Sequence, residues 1–296
     1  VPQHTFSISP KQAAGLTAQF LLYQLGLFVA IGLIAGAYGA IAHLSRPTGA
    51  TADPVVLIAV NSIAVVLVLR GQLRKSKIPW RAMSDWGFQS LPILPVFLLL
   101  MGGEVITASE IGNRVSALLP PPQWLRDYAL PLFDLASHPV SAPFALVVMA
   151  AVTEEVLFRG MILRGLLARM EPVRAVGISA GLFAVMHLNP WQMPSAFLIG
   201  SILGWVYLHT RSLALCIVGH GFHNAMCLLA TGLPFTIDGF NTMPSPGQAL
   251  FQPWWLNLLG FGLLVAGGWL LHRQAPRFPW PREQPAEPPL LPVNSI

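Results

Sequence analysis

The sequence predicts an all-α, polytopic membrane protein of about eight transmembrane helices. Three observations predict it. Of 296 residues, 54% are hydrophobic and only 10% are charged, against about a quarter charged in a soluble domain. Apolar runs recur at lengths near the ~20 residues a helix needs to cross a hydrocarbon core. These runs lack the alternation, over ~10-residue segments, of an outer-membrane barrel.

The spans follow in order. The first covers roughly 14–43 and the second roughly 54–72. The first is long and glycine-containing, as in a helix that tilts or extends past the bilayer. The polar start "VPQHTFSISPKQAAG" and the length of the run after it fit a membrane helix better than a cleaved signal. The third span, roughly 89–108, carries Pro92 and Pro95 in its first half. The fourth, roughly 141–168, contains "AAVTEEVLFRGMILRG". The fifth to eighth cover roughly 173–188, 193–209, 213–230 and 254–272. Residues 1–272 thus form one membrane domain, and 273–296 read as a proline-rich, disordered cytoplasmic tail. The segment "IPWRAMSDWGFQS" reads as an interfacial loop or short helix.

Net charge is +5, with a pI near 9.7. The basic residues cluster in short loops, the positive-inside signal, which points away from nucleic acid. Arg70, Arg74, Lys75, Lys77 and Arg81 lie between spans two and three. Arg164, Arg169 and Arg174 lie around the joint of spans four and five; Arg211 follows span six; Arg273, Arg277 and Arg282 follow span eight. Eight spans place all four clusters on one side, so both termini are expected in the cytoplasm. The chain has no organelle address, which favours a prokaryotic cytoplasmic membrane. Cys216 and Cys227 offer neither a disulfide framework nor metal-finger spacing, and they read as small buried hydrophobes.

Charges inside the fourth span need a reason. One charged side chain near the centre of a membrane helix costs on the order of 2.5–3.5 kcal/mol on insertion scales. Glu155 and Arg159 are four apart and share a face, so an internal ion pair accounts for both. Glu154 points ~100° away and lacks that partner. Span five adds His187, with Phe183 four residues earlier, and span seven adds His220, His223 and Asn224. His220 and Asn224 share a face. Counted at ~1.5 Å per residue from the basic ends, Glu154, His187 and Asn224 stand ~20 Å up and His220 ~14 Å. The three helices could converge on one intramembrane cavity.

Carboxylate and imidazole can hold and deprotonate a water, and a second imidazole and an amide can donate to a developing oxyanion. That set suits peptide-bond hydrolysis. No serine or cysteine is comparably placed, which argues against a covalent nucleophile. Two histidines and a glutamate are also a zinc set, although asparagine is a poor zinc ligand and Arg159 disfavours a cation.

Three motifs stand in order: "EEVLFR" (Glu154, Glu155, Arg159), "FAVMH" (Phe183, His187) and "HGFHN" (His220, Asn224). The set resembles the type II CAAX prenyl protease and bacteriocin-processing family, also called CPBP or ABI-type membrane proteases, with its E-E-x-x-x-R, F-x-x-x-H and H-x-x-x-N pattern. The flanks "RGMILRGLL" and "FLIGSILGWVYLHTRSLALCIVGHGFHN" are also similar. The resemblance covers roughly 140–231. It implies a helical fold with a conical or bundled intramembrane catalytic cavity, and a glutamate-dependent, metal-independent endopeptidase without cofactor. Its partners would be the lipid bilayer and a membrane-associated protein or peptide substrate. Carried over by position, Glu154 and His187 would activate water, and His220 and Asn224 would form the oxyanion hole. Glu155 and Arg159 would organise the site, with Phe183 packed beside it. His223 is extra to the pattern and reads as helix packing or support. Alternative readings are a zinc-dependent membrane protease, a nonproteolytic immunity or regulatory scaffold of the same family, and a proton-relaying transporter. The last predicts paired broken helices in two halves, and no such duplication is seen.

Overall fold

The computed structural model describes residues 6–41, 53–76, 86–125, 137–230, 232–242 and 248–275. Among these residues there is no strand. Eight long helices follow one another: α1 (Pro10–Ile41), α2 (Pro54–Ser76), α3 (Leu94–Leu118), α4 (residues 141–167), α5 (Pro172–Met186), α6 (Met193–Thr210), α7 (Leu213–Ala230) and α8 (Trp254–Gln274). Five of them, α1, α2, α3, α7 and α8, are each long and apolar enough to cross a membrane; α5 is shorter. The protein is an all-α integral membrane protein, and the count of eight spans stays an expectation. The tail beyond Ala275 and most of the "IPWRAMSDWGFQS" segment lie outside the described residues.

Local chemistry sets the ends. Ser9 and Gln12 cap α1 reciprocally, Gln12 N donating to Ser9 Oγ and Ser9 N to Gln12 Oε1. Asp53 accepts from Val55 N at the start of α2, and Ser212 Oγ accepts from Leu215 N at the start of α7. The third helix starts later than expected, because Phe88–Ile93 forms a 3-10 turn around Pro92. It also continues through Leu118, into a stretch expected to be loop.

Hydrogen bonds between loops define two ends of the bundle. At one end, Ile8 N donates to Gly165 O and Ser90 Oγ to Thr210 O. Gly87, at φ +60°, lies so close to Ser212 that a Cβ would sit 2.5 Å from the Ser212 Cα. This end carries Arg164, Arg169, Arg174 and Arg211. At the other end, Trp191 Nε1 donates to Leu119 O, and Asn113 Nδ2 to Gly239 O.

The centre of the bundle is α4. It is one unbroken right-handed rod in which π-helical turns, Phe144–Met149 and Val156–Leu163, alternate with α-helical ones. All eight residues from Val156 to Leu163 are buried, as in a helix surrounded by others. The lipid-facing flanks are α1 and α8, with Leu22, Leu33, Ile34, Phe261, Val265 and Trp269 exposed. Small residues let α8 approach α3 closely. A Cβ on Gly267 would lie 2.6 Å from Leu100 N, and one on Gly103 2.5 Å from Leu264 N.

That contact is testable. Gly267→Ala forces the α3 and α8 backbones apart and should cost about 1–3 kcal/mol of stability, read as a lowered Tm in detergent. Gly262→Ala, on the same helix with open space around it, should be neutral or slightly stabilising.

Candidate active site

The site is built on α4 and closed by α5, α6 and α7. Glu155 and Arg159 lie where α4 changes from α- to π-helical turns, a place where helices often carry function. Arg159 Nη1 donates to Glu155 Oε1 at 2.6 Å, and both side chains are buried. Arg159 Nη2 reaches Gly200 O on α6 at 3.0 Å. The expected internal ion pair is therefore present, and it also ties α4 to α6.

Glu155 Oε1 has a second partner, His220 Nδ1 on α7, at 2.8 Å. A carboxylate oxygen accepts, so Nδ1 carries the proton and Nε2 is left to the other side of the ring. There it stands 4.0 Å from Glu154 Oε2. His220 thus lies between the two adjacent glutamates. Glu154 Oε2 has no hydrogen-bond partner among the described residues.

Phe183, on α5, is the hub of the apolar side. Its ring meets His187 edge-on at 5.1 Å, His220 at 5.7 Å and Phe158 at 5.1 Å between centroids. The Arg159 guanidinium lies 4.9 Å from its centroid. His187 ends α5, and its Nδ1 donates to Phe183 O at 2.8 Å. That leaves Nε2 as the free ring nitrogen. Asn224 Nδ2 donates to Leu146 O on α4 at 2.8 Å.

Glu154, Phe183, His187, His220 and Asn224 line one cavity of about 260 Å³. His223 and Cys227 from α7 and Gln192 and Ser195 from the start of α6 complete its polar lining. The seven residues given a site role by the resemblance, and His223 with them, fall at this cavity or on the ion pair behind it. Direct contacts join Glu155, Arg159 and His220; Glu154 and His187 share the wall without a hydrogen bond between them.

Two features differ from expectation. Glu104, on α3, is fully buried and accepts from His223 Nδ1 at 2.8 Å. The signal was present in "LLLMGGEVITASE", since a glutamate in an apolar run is as costly there as in α4. Cys227 is exposed rather than buried, and lies on the cavity wall 3.6 Å from His223 Nε2. A thiol is therefore placed near the site, contrary to the sequence reading. Spacing alone does not show which helix packs on which. Cys216 is buried, as expected.

Fold and site together define a class: an all-helical integral membrane protein that gathers carboxylates and imidazoles on a cavity between its helices. Residues 136–226 match the family model described as type II CAAX prenyl endopeptidase Rce1-like. The match runs from the start of α4 into α7 and contains all three motifs, so the resemblance they carry is borne out. It implies a CAAX-protease-type intramembrane endopeptidase, a hydrolase acting on protein or peptide in the membrane. No curated protein and no solved structure matches the chain.

The ion pair can be tested by stability. Arg159→Met leaves Glu155 buried without its cation and should cost about 3–5 kcal/mol. The double variant Glu155→Gln/Arg159→Met should recover much of that loss in thermal unfolding. Equal instability of single and double variants would mean that the unpaired carboxylate is not the cause.

Proposed function

We propose that the protein is an intramembrane endopeptidase that hydrolyses a peptide bond in a membrane-associated protein or peptide. Glu154 and His187 activate the attacking water, and His220 and Asn224 stabilise the oxyanion. The observation that carries this reading is Glu154: a carboxylate whose Oε2 has no hydrogen-bond partner among the described residues, on a side chain that lines a cavity together with His187, His220 and Asn224.

The steps follow from the donors and acceptors. Water held by Glu154 and His187 Nε2 attacks the scissile carbonyl carbon and gives a proton to the carboxylate. The C=O π pair moves onto oxygen. Asn224 spends one amide hydrogen on Leu146 O and keeps the other for that oxyanion. His220 donates from Nε2 when its ring carries both protons, since its Nδ1–H is held by Glu155. Collapse expels the amine, which takes the proton from Glu154. Glu155, Arg159 and Phe183 position these groups without touching the substrate. We also infer that both termini face the cytoplasm; the contacts Ile8–Gly165 and Ser90–Thr210, near Arg164, Arg169, Arg174 and Arg211, support this reading.

The test is cleavage of a membrane-peptide reporter panel by purified protein, with binding measured in parallel. Glu154→Gln and His187→Ala should each lower kcat about 10²–10⁴-fold, and Asn224→Ala about 10²–10³-fold. A zinc chelator should change nothing. Loss of activity on chelation, restored by zinc, would turn the same residues into metal ligands. A substrate bound but never cut by the wild type would favour the nonproteolytic scaffold.

A further inference from the structure

A second acid–imidazole pair opens on the cavity, and it ends in a thiol. Glu104 on α3 is completely buried, and its Oε2 lies 2.8 Å from His223 Nδ1. A carboxylate accepts, so Nδ1 is the protonated nitrogen and Nε2 offers its lone pair. That lone pair faces Cys227 Sγ at 3.6 Å. His223 and Cys227 are four apart on α7 and both line the cavity. Glu104 Oε1 has no hydrogen-bond partner among the described residues.

The order is nucleophile, base, orienting carboxylate. A thiol becomes reactive when a neighbouring imidazole takes its proton, and a carboxylate on the far ring nitrogen fixes the tautomer and stabilises the imidazolium. We propose that Cys227, His223 and Glu104 form an activated thiol site on the cavity wall, open to covalent modification by soft carbon electrophiles such as α,β-unsaturated carbonyls. In the addition, Sγ attacks the β-carbon as the thiol proton passes to His223 Nε2. One S–C bond forms, the C=C π pair becomes the enolate, and the imidazolium returns the proton to the α-carbon. No oxidant or reductant is needed.

Cys216 is the internal reference. It is fully buried, and its Sγ donates to Leu203 O at 3.5 Å. Its hydrogen bond goes to a carbonyl rather than to an imidazole, and burial denies it access.

An adduct on Cys227 would project into the space shared by Glu154, His187 and His220. Modification should therefore block that cavity. This consequence rests on the endopeptidase reading; the reactivity of the thiol does not.

The experiment is timed labelling of the detergent-purified full chain with N-ethylmaleimide, read by peptide mass spectrometry at both cysteines. Cys227 should react faster than glutathione under the same conditions, with Cys216 unlabelled. His223→Gln should slow labelling of Cys227 about 10- to 100-fold, and Glu104→Gln should slow it by a smaller factor. Labelling of Cys227 no faster than glutathione would overturn the proposal. So would an unchanged rate in His223→Gln protein with wild-type Tm. If that variant unfolds, Glu104→Gln is read in its place; if both unfold, the wild-type comparison with glutathione decides. Cleavage is a separate readout. Labelled wild type should lose activity in step with the adduct, whereas Cys227→Ala protein, whatever its own rate, should lose none on treatment. Fast labelling, with a substrate bound but never cut, would leave the thiol site standing and remove the endopeptidase reading.

Discussion

The carboxylate of Glu155 is the group the rest of the site depends on. An ionised carboxylate inside a membrane bundle is stable only where cations and donors replace the water it has lost. Glu155 obtains them from two other places in the chain. Arg159 Nη1 lies at 2.6 Å and His220 Nδ1 at 2.8 Å, both on Oε1. Arg159 then uses its second terminal nitrogen on Gly200 O. One buried charge thereby joins α4 to α6 and α7, and it fixes which nitrogen of His220 faces the cavity. The same guanidinium rests on Phe183, so α5 is drawn in as well.

The seventh helix repeats this arrangement three residues later. His220 donates its Nδ1–H to a glutamate on α4, and His223 donates its own to a glutamate on α3. Each imidazole is held in one tautomer by a buried acid from a different neighbour. Each presents the opposite nitrogen to a group on the shared cavity, Glu154 in one case and Cys227 in the other. One helix carries two oriented rings because positions three apart lie on adjoining faces.

Most of the fold was legible because lipid leaves few options. Backbone groups must be satisfied within each segment, so long apolar runs are helices. The expected span of 213–230 coincides with α7, and 254–272 falls two residues short of the end of α8. The misses have local causes. Pro92 tightened the start of α3 into a 3-10 turn, and Ser109, Glu110 and Asn113 extended it because they hold the Gly239 and Gln252 backbone. In the site, Glu155–Arg159 was readable from an i, i+4 spacing, which is local. The link from Glu155 to His220 spans 65 residues, and that from Glu104 to His223 spans 119. Spacing along the chain carries no information at those separations. Cost does: the price of a glutamate in hydrocarbon marks Glu104 as surely as Glu154, without naming its partner.

Two glutamates adjacent in sequence would be electrostatically wasteful if they had the same surroundings. They do not. Successive helical positions point ~100° apart, so Glu155 turns into the protein toward Arg159 and Gly200, while Glu154 turns to the cavity. The first has its Oε1 compensated by Arg159 and His220, although its Oε2, too, has no hydrogen-bond partner among the described residues. The second keeps Oε2 unpartnered, 4.0 Å from the free nitrogen of a ring whose other nitrogen is held by the first. Environment rather than residue type then separates the roles, as it does wherever two nearby carboxyls must behave differently. Arg159 and His220 confine one carboxylate to holding the helices. They leave its neighbour as an acceptor on the wall of the cavity that His187, His220 and Asn224 share.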